Sequence, residues 1–263
     1  MAKVEHTGKT MMVDERRQHV LGLIQREGRA IVGELSEQLG ISRITIRKDL
    51  EYLQSQGLIQ RSHGGALPVQ SGTLFDPSLP EKQKLHSKEK ARIAAAAVDL
   101  VEENQCVIID SGTTTTAIAL ALRKFQRLTI ITNAVNIAAE LANVDFEVIL
   151  TGGTLRKNSF SLVGPLAEEM LSEIHADILF LGVDGFDPQV GITTPNMLES
   201  RVNRAMVSAA STVVAVCDST KFGRHSLALI VPPQKIDVLI TDANLDTHYS
   251  EQLNKLGIRV ILV

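Results

Sequence analysis

The sequence has no tryptophan, two tyrosines and seven phenylalanines, so aromatics make up only 3% of its 263 residues. An aromatic-rich core is excluded, and most packing must be aliphatic. Cysteine is nearly missing too. Cys106 and Cys217 both sit inside apolar runs, and they read as small buried hydrophobes rather than as a disulfide or a metal site. No run of 18 apolar residues occurs, and no signal peptide precedes the first helix. A membrane partner is therefore not expected, and the location expected is cytoplasmic. Neither sign of charge dominates. The net charge of −3 argues against generic nucleic-acid affinity, and the split between residues 1–66 (+2) and the rest (−5) is mild. What remains is 44% apolar and 22% charged, the balance of a soluble globular protein long enough for one large domain or two.

The chain has two rhythms. Residues 1–13 carry no readable structure. Residues 14–68 read as three short helices and a hairpin. Asp14 is the expected N-cap of the first helix, with Val20, Leu21 and Ile24 as its inner stripe. "EGRA" breaks the pattern at Gly28. The second helix spans Val32 to Leu39 and stops at Gly40. Ser42 caps a third that runs to Gln56. "LIQRSHGGALPV" then reads as two extended runs around Gly64 and Gly65, the wing of a winged helix-turn-helix. Residues 69–87, with Pro77 and Pro80, read as a linker. From residue 88 to 263, apolar runs of strand length at 106–110, 128–132, 147–151, 177–183, 212–218, 237–242 and 258–263 alternate with helical stretches. Continuous apolar strands alternating with helices imply an α/β domain: a mostly parallel, doubly wound sheet covered on both faces.

The third helix contains "ISRITIRKDL". With Ile46 pointing inward, Leu50 and Leu53 fall within about 40° of it at 100° per residue. Ile44, Thr45, Arg47 and Lys48 then face outward, two cations and a hydroxyl beside an isoleucine that water does not favour. That set suits the DNA major groove: Arg47 for a guanine edge, Lys48 and Thr45 for phosphates, Ile44 for a thymine methyl. Ser42 and Arg43 stand at the helix N-terminus, where free N–H groups favour a phosphate. Arg61 and His63 on the wing add backbone or minor-groove contacts. Each residue alone fits a solvated helix face equally well; their combination on a winged outline favours duplex DNA as the partner.

In the second half, "IIDSGTTTTAIAL" runs from a strand into a helix. Ser111, Gly112, Thr113, Thr114 and Thr115 form a small-residue turn whose N–H groups and hydroxyls can cradle an anion. No lysine follows the glycine as in a Walker loop, and no GxGxxG is present, so a dinucleotide is not expected. The bland alternative is a capping turn. Other polar strand ends should converge on the same crevice, as in open α/β sheets: Asn133, Gly152 and Gly153, Asp184, and Lys221 in "CDSTKFG". Lys221 can reach a phosphate. Asp184 and Glu199 are acceptors suited to sugar hydroxyls or an amine, although each also reads as an ordinary turn or helix acid. No catalytic residue, cofactor or metal is assigned.

The stretch "LSEQLGISRITIRKDLEYLQSQGLIQRSHGGA" resembles the winged helix-turn-helix of the DeoR family of bacterial transcriptional repressors, with "TIRKDL" and "RSHGGA" as its most specific elements, and the likeness continues through nearly the whole chain. The family usually has a second Arg where this sequence has Lys48, so two-pronged base reading is expected at Arg47. The resemblance implies a C-terminal domain similar to ribose-5-phosphate isomerase, glucosamine-phosphate isomerase and CoA transferases, with the Ser111–Thr115 turn holding a sugar phosphate. It further implies an acidic turn at Asp184 in "GVDG" and a base at Glu199. "GITTPN" at 191–196 stands where those isomerases have a lysine-glycine turn, so sensing is favoured over catalysis. "TTPNMLESRVNRAM" and "DSTKFGRHSL" look most like an amino-sugar-responsive branch.

The expectation is a repressor of carbohydrate-metabolism genes that binds operator DNA as a homodimer or homotetramer and is relieved by a phosphorylated sugar. The alternative is a sugar-phosphate isomerase or deaminase with an appended DNA-binding domain and Glu199 as its general base.

Overall fold

A computed structural model describes residues 12–55, 59–62, 64–68 and 73–263. The chain divides between Ser71 and Gly72 into two compact units.

The first unit contains α1 (Val13–Glu27), β1 (Ala30–Ile31), α2 (Val32–Leu39), α3 (Arg43–Ser55), β2 (Ile59–Ser62) and β3 (Gly65–Pro68). The N-cap of α1 is Met12, not Asp14, and Asp14 stands in the first turn, where a carboxylate favours the helix dipole. Gly28 and Gly40 close α1 and α2 in the left-handed conformation. Val20, Ile24, Ile46 and Leu50 are fully buried, so the inner stripes of α1 and α3 meet in one aliphatic core. β2 and β3 form the expected hairpin, and β1 adds a third antiparallel strand on the other edge of β3. Gly65 makes this possible: a Cβ there would lie 2.1 Å from the Ala30 carbonyl oxygen.

The second unit opens with α4 (Leu79–Gln83), α5 (Ser87–Val98), β4 (Cys106–Ile109), α6 (Thr113–Ala121), β5 (Thr129–Thr132), α7 (Val135–Glu140) and β6 (Glu147–Leu150). A hairpin of β7 (Thr154–Arg156) and β8 (Ser161–Val163) follows, then α8 (Pro165–Ser172), β9 (Ala176–Gly182), β10 (Gly185–Asp187) and β11 (Gly191–Thr194). The chain ends with α9 (Met197–Ala209), β12 (Ala210–Val216), β13 (Ala228–Val231), β14 (Val238–Thr241), α10 (Thr247–Lys255) and β15 (Arg259–Leu262). The seven apolar runs of the sequence are the seven strands of one parallel sheet, ordered β15-β14-β12-β9-β4-β5-β6.

Pleating sends successive residues to opposite faces. Ile178 and Phe180 join one core with Ile93 of α5 and Ile118 of α6, while Leu179 and Leu181 join the other with Leu171 of α8 and Met206 of α9. Helices therefore cover both faces, as the unbroken apolar strands require. Cys217 is buried, Cys106 is half-buried, and both are free thiols whose pKa burial pushes up.

Several features have no counterpart in the sequence reading, β1 and the β7–β8 hairpin among them. β10, β11 and β13 form a separate antiparallel sheet. Residues 73–87, read as linker, carry α4 and attach to the second unit: Leu79 is buried, and its N–H donates to the Asn158 carbonyl at 2.8 Å. The prolines fit this role, since Pro80 occupies the first turn of α4, where its missing N–H costs nothing.

Leu50 lies at the centre of the first core. Leu50→Ala should cost about 2–5 kcal/mol, read as a lower urea midpoint for the helix-turn-helix unit with an unchanged slope.

Candidate functional site

Two sites are built by these units, and each is described within its own unit. On α3, Ser42 accepts from the Thr45 N–H at 3.2 Å and shares a hydrogen bond with the Thr45 hydroxyl at 2.9 Å, which caps the helix as its sequence requires. Arg43, Ile44, Arg47 and Lys48 are exposed, Ile44 at 67%, and Thr45 is half-buried. The inward arc holds Ile46, Leu50, Leu53 and also Asp49, which is 1% exposed. Asp49 receives Arg16 Nε at 2.6 Å, Arg16 Nη2 at 3.0 Å and Arg17 Nε at 3.1 Å. The Arg17 guanidinium also stacks over the Tyr52 ring, 3.7 Å from its centroid. A buried carboxylate held by two guanidinium groups fixes the rotation of α3 against α1, and so decides which side chains face outward. The hydrogen bond to Asp49 raises the Arg16 pKa. An acid inside the inward arc of an amphipathic helix was the available signal for this clamp. On the wing, Arg61 Nη1 donates to the Arg47 carbonyl at 3.3 Å, which brings it to the same face as Arg47. His63 lies outside the described residues.

The second site lies at the sheet's switch point. From β4 the chain winds outward through β5 to β6, then returns to β9 on the other side of β4 and continues through β12 and β14 to β15. Between the carboxyl ends of β4 and β9 the connections diverge and leave a crevice. Asp110 follows β4 there. Its Oδ2 accepts from the Gly182 N–H at 3.1 Å and from Asn203 Nδ2 at 3.3 Å. Burial, reinforced by Glu199, holds the Asp110 pKa well above the usual carboxylate range. Ser111, Gly112 and Thr113 are partly exposed at the start of α6, whereas Thr114 and Thr115 are buried. The Thr115 hydroxyl donates to the Gly112 carbonyl at 3.0 Å, and the Thr116 hydroxyl donates to the same carbonyl at 2.6 Å. Only the front of the turn therefore offers its groups outward.

Asp184, beyond β9, accepts from Lys82 Nζ at 2.8 Å and from the Thr194 hydroxyl at 3.3 Å. Burial raises its carboxyl, but Lys82 and Lys221 outweigh this and the net shift is downward. Glu199, in the first turn of α9, is bound by Arg156 Nη1 at 3.1 Å, the Ser161 hydroxyl at 2.9 Å and the Thr194 hydroxyl at 3.4 Å. Arg156 also pairs with Asp76. Lys221 follows β12 in a short turn held by Asp218 and by Asp242, which accepts from the Ser219 N–H at 2.6 Å. Among the described residues, Lys221 and the half-buried Arg224 make no ion pair and no side-chain hydrogen bond. Burial lowers both pKa values, although Asp218 and Asp184 partly offset it.

The remaining sequence candidates are Asn133, Gly152 and Gly153. Asn133 is buried and its Nδ2 donates to the Leu162 carbonyl at 3.3 Å, with Oδ1 unpartnered among the described residues. Gly153 lies against β8, where a Cβ would stand 2.7 Å from the Val163 oxygen. Gly152 has open space around it. The sequence reading missed Asp76, Lys82, Arg156, Asp110 and Arg224. Asp110 and Arg224 stand inside quoted stretches, "IIDSGTTTTAIAL" and "DSTKFGRHSL", but were not singled out, Arg156 falls in no such stretch, and Asp76 and Lys82 lie in the one read as linker.

A capped cationic helix on a winged unit, joined in one chain to an α/β unit with charged groups at its switch point, defines a two-domain DNA-binding transcriptional regulator. Among the described residues, no helix is long and apolar enough to cross a membrane. A family model for the DeoR-like helix-turn-helix domain matches residues 16–71, and one for the DeoR C terminal sensor domain matches residues 85–243. The chain belongs to the DeoR family. It is 41% identical to a putative aga operon transcriptional repressor of Escherichia coli O157:H7, over 95% of this chain and 93% of that protein. It is 39% identical to the HTH-type transcriptional regulator GlpR of Haloferax volcanii, over 95% and 98%. With the glycerol-3-phosphate regulon repressor of Escherichia coli K12 it shares 32% identity, over 89% and 92%. A solved ribose 5-phosphate isomerase A of Methanocaldococcus jannaschii aligns with 52% of this chain and 54% of that chain, at a TM-score of 0.39 and 14% identity.

Two outcomes test the geometry. Arg47→Ala should cost about 1–3 kcal/mol at one base position and relax specificity there, whereas Lys48→Ala should weaken all sequences alike and reduce the salt slope by about 1. Fluorescence anisotropy on operator variants across a salt series separates the two. Next to the crevice, buried Lys90 donates from Nζ to the Lys82 and Leu85 carbonyls, both at 2.6 Å, and burial pushes its pKa down to about 8. The unfolded chain binds this proton up to about pH 10.5, so stability gains from Lys90 as pH rises from about 8 toward that value. The stability difference between the native chain and Lys90→Met should climb across this window; a flat difference would mean that Lys90 is not desolvated.

Proposed function

We propose that this regulator is a repressor of carbohydrate-metabolism genes that leaves its operator when a phosphorylated sugar enters the switch-point crevice. The observation that carries this reading is the pair Lys221 and Arg224, two partly buried cations with no anionic partner among the described residues. Burying an unpaired cation is costly, so the crevice is suited to an anion. A phosphate dianion complements two cations. Ser111, Gly112, Thr113 and Thr114 would supply N–H groups to it at the start of α6, while Asp184 accepts from sugar hydroxyls or an amine. Asn133, Gly152 and Gly153 shape the neighbouring wall.

The repressor reading is preferred to catalysis because of what surrounds Glu199. A general base needs a lone pair free to take a proton, and this carboxylate is held by a guanidinium and two hydroxyls. The names of the relatives support repression and, in one case, a phosphorylated polyol. On the DNA side, residues 14–68 carry the interface through Ser42, Arg43, Ile44, Thr45, Arg47, Lys48, Arg61 and His63, and residues 88–263 carry the sensor. One helix reads few base pairs, so a homodimer or homotetramer on repeated half-sites supplies the remaining specificity. The protein acts in the cytoplasm, where DNA and phosphorylated sugars meet.

A thermal-shift screen of sugars and their phosphates tests the reading. A phosphorylated sugar at about 100 times its Kd should stabilise the sensor by about 2.7 kcal/mol, and its unphosphorylated analogue should not. The double variant Lys221→Gln, Arg224→Gln should lose the shift. An unchanged shift in that variant would remove the anion site from Lys221 and Arg224.

A further inference from the structure

Residues 73–86 precede α5 in sequence, yet their side chains reach the wall of the crevice. Asp76 pairs with Arg156, and its carbonyl accepts from Asn158 Nδ2 at 2.8 Å. The Leu79 N–H donates to the Asn158 carbonyl at 2.8 Å, and the Thr73 carbonyl accepts from the Leu227 N–H at 2.9 Å. Lys82 Nζ lies 2.8 Å from Asp184 Oδ1 and 3.8 Å from Asp76. On the side toward α5, Lys90 Nζ holds the Lys82 and Leu85 carbonyls. This strap is fastened mainly by polar groups. Leu79 is its one buried large hydrophobe among the described residues, and Leu74 and Phe75 are exposed.

Its two charged side chains have a definite chemistry. The Asp76 carboxylate occupies Nη2 of Arg156, whose Nη1 is held by Glu199 and Ser159, and the Lys82 ammonium occupies the acceptor Asp184. A polyhydroxylated phosphate presents the same two kinds of group: oxygens that accept from a guanidinium, and hydroxyl or amino groups that donate to a carboxylate. We propose that the strap is a resident competitor: Asp76 on Arg156 and Lys82 on Asp184 fill the sugar end of the effector site, and the effector takes over both partners and frees the strap. Arg156 thereby becomes a ligand-binding residue. The proposal rests on the effector reading given above and adds a route for it. Residues 73–86 are the part of the sensor unit next in sequence to the DNA-binding unit, so their release alters the segment that joins the two. It also sets specificity. Inorganic phosphate can meet Lys221 and Arg224 but brings no polyol to Asp184, so it leaves the strap in place.

The test uses the full chain with Asp76→Asn and Lys82→Gln. Inorganic phosphate and a panel of five- and six-carbon aldose and amino-sugar phosphates are titrated calorimetrically, and amide exchange is followed over residues 76–85. The panel member that binds the native chain should speed exchange in the strap, and inorganic phosphate should not. If the strap fills the site about nine-tenths of the time, that member should bind each variant roughly tenfold more tightly, with phosphate affinity unchanged. A gain in affinity cannot come from a misfolded variant. Equal or weaker sugar-phosphate binding by both variants, with the strap still protected, overturns the competitor and leaves the effector reading standing. No binding by any panel member to any of the three proteins overturns both.

Discussion

Charge removed from water must find a partner, and at the carboxyl ends of β4 and β9 this requirement organises the sensor unit. The sheet topology forces the strand connections apart there, so strand ends and their polar turns meet with little solvent between them. Asp110, Asp184, Asp218 and Glu199 come together with Lys82, Lys221, Arg156 and Arg224. Each carboxylate has answered the requirement differently. Asp184 and Glu199 are bound by cations. Asp218 caps its own turn. Asp110 is buried with no cation of its own among the described residues and accepts from the Gly182 N–H and Asn203 Nδ2, and burial holds its pKa well above the usual carboxylate range. The cations are less completely matched, and the excess falls on Lys221 and Arg224.

The DNA-binding unit solves a smaller version of the same problem. Asp49 is buried within a helix whose other inward residues are aliphatic, and it survives there because Arg16 and Arg17 both reach it. Aliphatic packing alone tolerates rotation and sliding of one helix against another, since Ile, Leu and Val contacts are not directional. A two-pronged ion pair is directional. The recognition face therefore owes its orientation to a residue on the opposite side of α3, and among the described residues Arg47 and Lys48 stay exposed on the outer side.

Much of this was legible in the sequence, for reasons that differ by element. The seven sheet strands could be read because each is an unbroken aliphatic run, such as "CVII" and "VLIT", bounded by polar turns. The stripe of Ile46, Leu50 and Leu53 followed from helical spacing alone. The small sheet of β10, β11 and β13 was hidden because its strands are three or four residues long, too short for a period to show. In the crevice, Ser111 to Thr115, Asp184, Glu199 and Lys221 were put forward from the sequence because each stands at a polar strand end or helix start. Arg156 and Lys82 were not, since each meets its partner across 43 and 102 residues of sequence, and nothing local marks such a pairing. Thr115 is buried in the same turn as Ser111. A threonine in the first turn can turn its hydroxyl back to a carbonyl behind it, and this one does.

An effector can move an equilibrium only by binding one state better than another. A crevice lined with free, solvated groups would bind its ligand without preferring any arrangement of the rest of the chain. This crevice is partly filled by its own protein, and the filling segment adjoins the DNA-binding unit in sequence. Every ligand contact made to Arg156 or Asp184 must then be made at the expense of Asp76 or Lys82. The polar fastening of the strap is what makes the exchange possible: ion pairs and hydrogen bonds can be traded one for one with a ligand of matching groups, whereas buried aliphatic surface cannot be replaced by a sugar. The anchor at Leu79 and the grip of Lys90 on the Lys82 and Leu85 carbonyls involve neither Arg156 nor Asp184, so an exchange of the two ion pairs would leave them in place.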